Sequence, residues 1–178
     1  MTCYCRRLYL CSIMLLSLCC SHLYGMKFHY HLGKALNSFC DGKDVGDILF
    51  LIANQINHGH EWILGDDELS IAFAKLNMRA GKRALDGCDH KTAYSYLKVA
   101  LSLLPTDHWE SHHDLSLRLN FLASSAANSC CHYVEAERML QRIFERSRCF
   151  EDKVPSYLLL SQSKCSNQLL LFALLFYA

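Results

Sequence analysis

The chain has little from which a sheet could be built. Valine is sparse, apolar and polar residues rarely alternate, and no Asn-Gly or Asp-Gly turn joins two apolar runs. Only two prolines interrupt the 178 residues, so long helices are permitted nearly everywhere. A net charge of +1 leaves no global attraction toward nucleic acid or acidic membranes. No GxxxxGK[ST] occurs, so the backbone cradle of a P-loop is missing. No CxxC occurs either, which removes zinc ribbons and thioredoxin-type redox motifs. His113-Asp114-Leu115 is the nearest approach to a kinase catalytic loop. It lacks the Arg, the spaced Asn and any accompanying DFG or Gly-rich loop. The surrounding HHDLSLRL also does not fit a phosphoacceptor histidine motif. What is present is apolar: 52% of the residues, enough for a core in an all-α domain.

The most ordered stretch is Ala74 to Pro105. Ala80, Gly81 and Ala84 form a stripe of small residues on one helix. Ala93, Leu97 and Ala100 follow on the next at spacings of four and three, and Pro105 stops it. Small residues let two backbones approach, and Leu97 fills the gap between them. The pattern resembles the tetratricopeptide repeat, an antiparallel helix pair. Leu32 and Gly33, followed by Val45, Leu49 and Ile52, make a weaker copy before it. Ala136, Leu140 and Ile143 make another after it, with Ala136 standing 43 residues beyond Ala93. That interval is longer than a standard 34-residue unit, so the units are tetratricopeptide-like. The fold expected is all-α: about three antiparallel hairpins stacked as a superhelix.

Residues 26–162 carry this pattern, and both flanks depart from it. In residues 1–25, Arg6 and Arg7 precede the apolar run LYLCSIMLLSLCC. The segment has the shape of a signal peptide. The end of a longer protein, or a gene-model artefact, accounts for it as well. Residues 163–178 form an apolar tail with no charge after Lys164. Its last ten residues are fewer than the roughly 20 needed to span a bilayer. These apolar ends leave a membrane association open. A cytoplasmic location is expected unless residues 1–21 direct the chain into the secretory pathway.

Within 26–162, FHYHLGKAL, NQINHG, AKLNMRAGKRA, TAYSYLKVALSLL, WESHHDLSLRLNFLAS and EDKVPSYLLL occur in that order. Together they resemble the helical region of large signalling ATPases and of ATPase-coupled histidine or serine/threonine kinases, over residues 27–160. In that family the region follows a nucleotide-binding domain and is a scaffold without catalytic residues. The resemblance therefore implies a non-catalytic segment, a fragment or a shortened member of such a protein. Its expected partners are a protein, a peptide or neighbouring domains of a larger chain. No cofactor is expected.

Repeat geometry places candidate contact residues on the first helix of each pair: Lys75, Asn77 and Asn120. Two other functions remain open at this level. The eleven cysteines could staple a secreted helical protein, although their scattered spacing favours buried or idle thiols. A His/Cys metal-dependent enzyme is the second alternative. His108 and His112 lie one helical turn apart, and His132 adjoins Cys130 and Cys131. A structural zinc site needs more than such a pair, so capping or surface histidines are the expectation. Arg138, Arg142, Arg146 and Arg148 alternate with Glu135, Glu137, Glu145 and Glu151. Such a face is solvated by paired charges, and no nucleic-acid partner is expected.

Overall fold

The computed structural model describes residues 22–39, 48–59 and 66–177, which belong to two compact units divided after Asp66. Every regular element among the described residues is helical. The first unit holds α1 (His22–Phe39) and α2 (Ile48–His58), packed together. Their closest approach is at glycines. A Cβ on Gly33 would lie 2.6 Å from Ile56 Cγ1 and 3.0 Å from the Ile56 amide nitrogen. One on Gly59 would lie 2.6 Å from Tyr30 Cβ.

The plug of this pair is therefore Ile56, one helical stretch later than the Leu49 expected from sequence. Ile52, Ile56 and Gly59 take up the four-then-three spacing, while Val45 lies outside the described residues. The reason is that α2 continues through Asn54–His58, which the sequence pattern assigns to a connection. Ile52 and Ile56 stay on one face and are fully buried, so burial carries the helix onward. Among the positions of α1 whose burial is described, Gly25 and Gly33 are buried, whereas Phe28 and Ala35 are exposed. The spacing of Phe28, Leu32, Ala35, Leu36 and Phe39 predicts one apolar face on this helix; Leu32 and Leu36 are half-buried, so the small-residue seam displaces part of that face. His29 Nδ1 donates to Gln55 Oε1 at 2.6 Å and ties the two helices together. Gly33→Ala is expected to loosen this pair by about 1 kcal/mol net, overpacking exceeding the helix-propensity gain. Faster amide exchange across residues 22–39 would measure it.

The second unit holds α3 (Asp67–Asp86), α4 (His90–Ser102), the single turn α5 (His108–Ser111), α6 (His113–Ser129) and α7 (Tyr133–Arg146). A 3-10 turn, Glu151–Lys153, then leads into α8 (Val154–Tyr177). α3 packs on α4, α4 on α6, α6 on α7 and α7 on α8. Buried residues follow the helical period: Phe73, Leu76, Ala80 and Ala84 on α3, and Ala93, Leu97 and Ala100 on α4. The helical period places Leu69 and Ala72 inward as well, but Leu69 is half-buried and Ala72 is exposed.

The turns α3–α4 and α6–α7 have the same hydrogen bonds 43 residues apart. Cys88 N–H donates to Leu85 O and Asp89 N–H to Ala84 O, both at 2.9 Å. Cys131 N–H donates to Asn128 O at 3.0 Å, and His132 N–H to Ala127 O at 2.9 Å. Cys88 and Cys131 have positive φ, 59° and 62°, the left-handed conformation that ends a helix. Continued helix would point the adjacent Cys130 and Cys131 to different sides, but both sit in the turn. Asp89 caps α4 by accepting from the Thr92 amide at 3.1 Å, as its place in the sequence suggests.

The sequence reads Thr106 to Cys130 as one helix, but the structure breaks it at His112 (φ −134°, ψ 50°). Ser116 bridges the break. Its hydroxyl lies 2.9 Å from both His108 O and His112 O, and 2.7 Å from His108 Nδ1. A buried hydroxyl with these partners offers the backbone an alternative to continuous helix. Leu140, Ile143 and Leu159 form a core cluster with Trp109, Leu117, Phe121, Phe144 and Leu160 packed around it. No described helix is long and apolar enough to cross a membrane.

Candidate functional site

The three sequence candidates fall in different environments. Asn77 and Asn120 are buried, 43 residues apart, and make the same bond. Asn77 Nδ2 donates to Phe73 O at 3.1 Å, and Asn120 Nδ2 to Ser116 O at 2.8 Å. Each amide thus returns one turn to its own helix within the packed layer. Lys75 is exposed and lines an open cleft of about 530 Å³.

The cleft is bounded by α3, by the break at His112 and by the first two turns of α6. Arg118 and Arg148 join Lys75 on its wall, with Glu110 and Asp114 as the acidic members. Arg118 stands 43 residues after Lys75, at the same position on the next long helix. Sequence reasoning passed over it, although that spacing was available to find it. Arg148 follows α7; its guanidinium donates to Glu110 O at 3.3 Å, which holds it at the rim. The Glu110 carboxylate faces Arg146 at 3.8 Å, so part of the acidic charge is already balanced. His112 begins α6 without a side-chain cap, so its side chain leaves the first amides of that helix unsatisfied.

His113 also lines the cleft but is almost fully buried. Its Nδ1 donates to Trp109 O at 3.3 Å, and Nε2 lies 3.9 Å from Asp152 Oδ2. His108 is half-buried, and burial holds its imidazole below the usual histidine range, with Arg142 next in effect. An unfolded histidine takes up a proton near about pH 6.5 while this one is still neutral. Stability from this group is therefore present above about pH 6.5 and lost as the pH falls through the lower folded value. His108→Gln is expected to shrink the fall in melting temperature between about pH 7 and about pH 5. Equal falls in both proteins would contradict that.

Elsewhere, Tyr94 donates to the Glu135 carboxylate and so links α4 to α7. Burial, then the hydrogen bond to Glu135, raises the Tyr94 phenol to about 12. His108 and His112 do not form a pair on one helix: one bonds Ser116, and the other is the break itself. Among the described residues, no three His, Cys, Asp or Glu side chains are grouped to hold a metal ion. Cys88, Cys130, Cys131, Cys149 and Cys165 are free thiols, and none is buried.

No family model, curated protein or solved structure matches this chain. The geometry of the cleft and of the helix pairs is what a functional reading can use.

Proposed function

We propose that the chain is a non-catalytic helical scaffold of tetratricopeptide-like hairpins, which holds a protein segment or a neighbouring domain. The supporting observation is the 43-residue recurrence in the second unit. It pairs Asn77 with Asn120, the Cys88 turn with the Cys131 turn, and Lys75 with Arg118. Buried positions repeat as packing, and the exposed basic positions repeat into one shared cleft. A surface built this way recognises by charge and shape, without a reacting group.

The cleft favours an acidic segment, because Lys75, Arg118 and Arg148 outnumber Glu110 and Asp114 on its wall. The resemblance to the helical region of signalling ATPases and kinases supports the same role, a relay between domains of a larger protein. Fluorescence anisotropy with a labelled oligo-glutamate peptide tests it. Saturable, salt-sensitive binding is expected, weakened at least about tenfold by K75E/R118E. Absence of binding, or binding indifferent to both charges, would sink the cleft. Tight binding of ATP would overturn the non-catalytic reading itself.

A further inference from the structure

His112 is the residue of the cleft that neither helix capping nor the repeat accounts for. The position before a helix favours Ser, Thr, Asp or Asn, whose side-chain oxygen bonds a first-turn amide. Asp89 does this for α4, whereas the His112 side chain bonds none on α6. At the 43-residue interval its counterparts are Leu69 and Pro155, so the repeated packing calls for no titratable group here. The backbone of His112 is engaged at the break, its N–H donating to His108 O and its carbonyl accepting from Ser116. Its imidazole is not. Half-buried on the cleft wall, the ring makes no hydrogen bond among the described residues.

The charges around that ring come from every element that borders the cleft. α3 brings Lys75, α5 brings Glu110, α6 brings Asp114 and Arg118, and Arg148 follows α7. Lys75 and Arg118 form no ion pair among the described residues, while Glu110 already faces Arg146 at 3.8 Å. The empty cleft therefore holds an excess of positive charge, which disfavours a further cation on the imidazole. An acidic occupant reverses the sign, because its carboxylates bring negative charge to the same wall. Histidine is the side chain that answers such a change between about pH 5 and about pH 8. Once protonated, the ring offers two N–H donors to a carboxylate, where the neutral ring offers one.

We propose that His112 is a proton-linked recognition residue of the cleft: an acidic segment binds with uptake of a proton on its imidazole, so the scaffold holds that segment more tightly as the pH falls. The inference rests on the acidic-segment reading of the cleft. The linkage is reciprocal, so whatever the occupant gains from the proton, the proton gains from the occupant. The two neighbouring histidines do not share this role. His113 has its Nε2 buried near Asp152, at 3.9 Å, out of an occupant's reach. Burial opposes the charge on His108, and its protonation at lower pH weakens the fold itself.

Fluorescence anisotropy with the labelled oligo-glutamate peptide, at about pH 7.5 and about pH 6 and equal ionic strength, is the test. Glutamate, with a pKa of about 4.3, stays ionised at both. The wild-type dissociation constant should fall at least about threefold at the lower pH. His112→Gln and His112→Asn should each bring the ratio of the two constants close to unity. Asparagine is a favoured capping residue, so the second variant keeps the start of α6 in place if glutamine disturbs it. The imidazole C2 proton of His112, assigned from the spectrum of H112Q, should titrate at a higher pH with the peptide bound than without. A wild-type ratio near unity would overturn the proposal. So would the wild-type ratio retained in both variants, or a His112 titration indifferent to the peptide. Those outcomes leave the cleft reading standing as long as K75E/R118E still weakens binding. No binding at either pH would sink the cleft, and this proposal with it.

Discussion

Leu140→Ala is expected to cost about 2–5 kcal/mol, measured by chemical denaturation of the second unit. Leu140 is fully buried at the centre of the cluster that joins α6, α7 and α8. Removing its three terminal carbons loses their transfer energy and leaves a cavity lined by Ile143, Leu159 and Phe121. Large aromatic neighbours collapse poorly into such a space, which puts the cost toward the upper part of the range. The distribution of the loss is as informative as its size. In a nearest-neighbour stack, weakening α7 releases α8 before it affects the α3–α4 pair. Amide protection across residues 154–165 should therefore fall well before protection across residues 67–102. A uniform fall across the second unit would contradict stacking by neighbours. The exposed Leu158→Ala serves as the comparison, since truncation there opens no cavity.

What the sequence made legible follows from which residues do one job. Ala93, Leu97 and Ala100 pack and nothing else, so their spacing is a clean helical signal, and the structure buries all three. The same holds for Ala136, Leu140 and Ile143. Serine and histidine serve two roles, and there the pattern misleads. Ser116 looks like one more residue of a long helix, yet its hydroxyl stabilises a break in the backbone at His112. In the first unit the apolar positions Leu49, Ile52 and Ile56 offer two registers with the same spacing. Only the close approach at Gly33 decides between them, and that is a fact about two backbones in space. For the candidate site, Lys75 was legible as an exposed residue on a first helix. Arg118 required the 43-residue interval to be applied to polar positions as well as apolar ones. Arg148 follows α7 in a segment without helical periodicity, and no spacing rule reaches it. Asn77 and Asn120 show the opposite difficulty. Their polarity suggests exposure, but an amide that donates to a carbonyl four residues back can be packed away without leaving that donor unmet.

Gly81→Leu is expected to destabilise the second unit by about 1–3 kcal/mol, with Leu97 as the residue that suffers. A Cβ on Gly81 would stand 2.5 Å from Leu97 Cγ and 2.9 Å from Cδ2. Cγ is the branch point of a fully buried side chain, so it cannot swing aside as a flexible tip can. Two effects oppose each other here. Leaving glycine gains about 1 kcal/mol of helix propensity, and overpacking costs about 1–3 kcal/mol. Alanine sits near the balance of the two, whereas leucine adds three more carbons to a space with no room for the first. A double-mutant cycle with Leu97→Ala decides whether the close crossing is the cause. Leu97→Ala alone should cost about 2–5 kcal/mol by opening a cavity. In the combined variant the leucine at position 81 reaches into that cavity, so the two losses should fall short of their sum by about 0.5–3 kcal/mol. Strict additivity would mean that residues 81 and 97 do not compete for the same volume, and the close crossing of α3 and α4 would have to be abandoned.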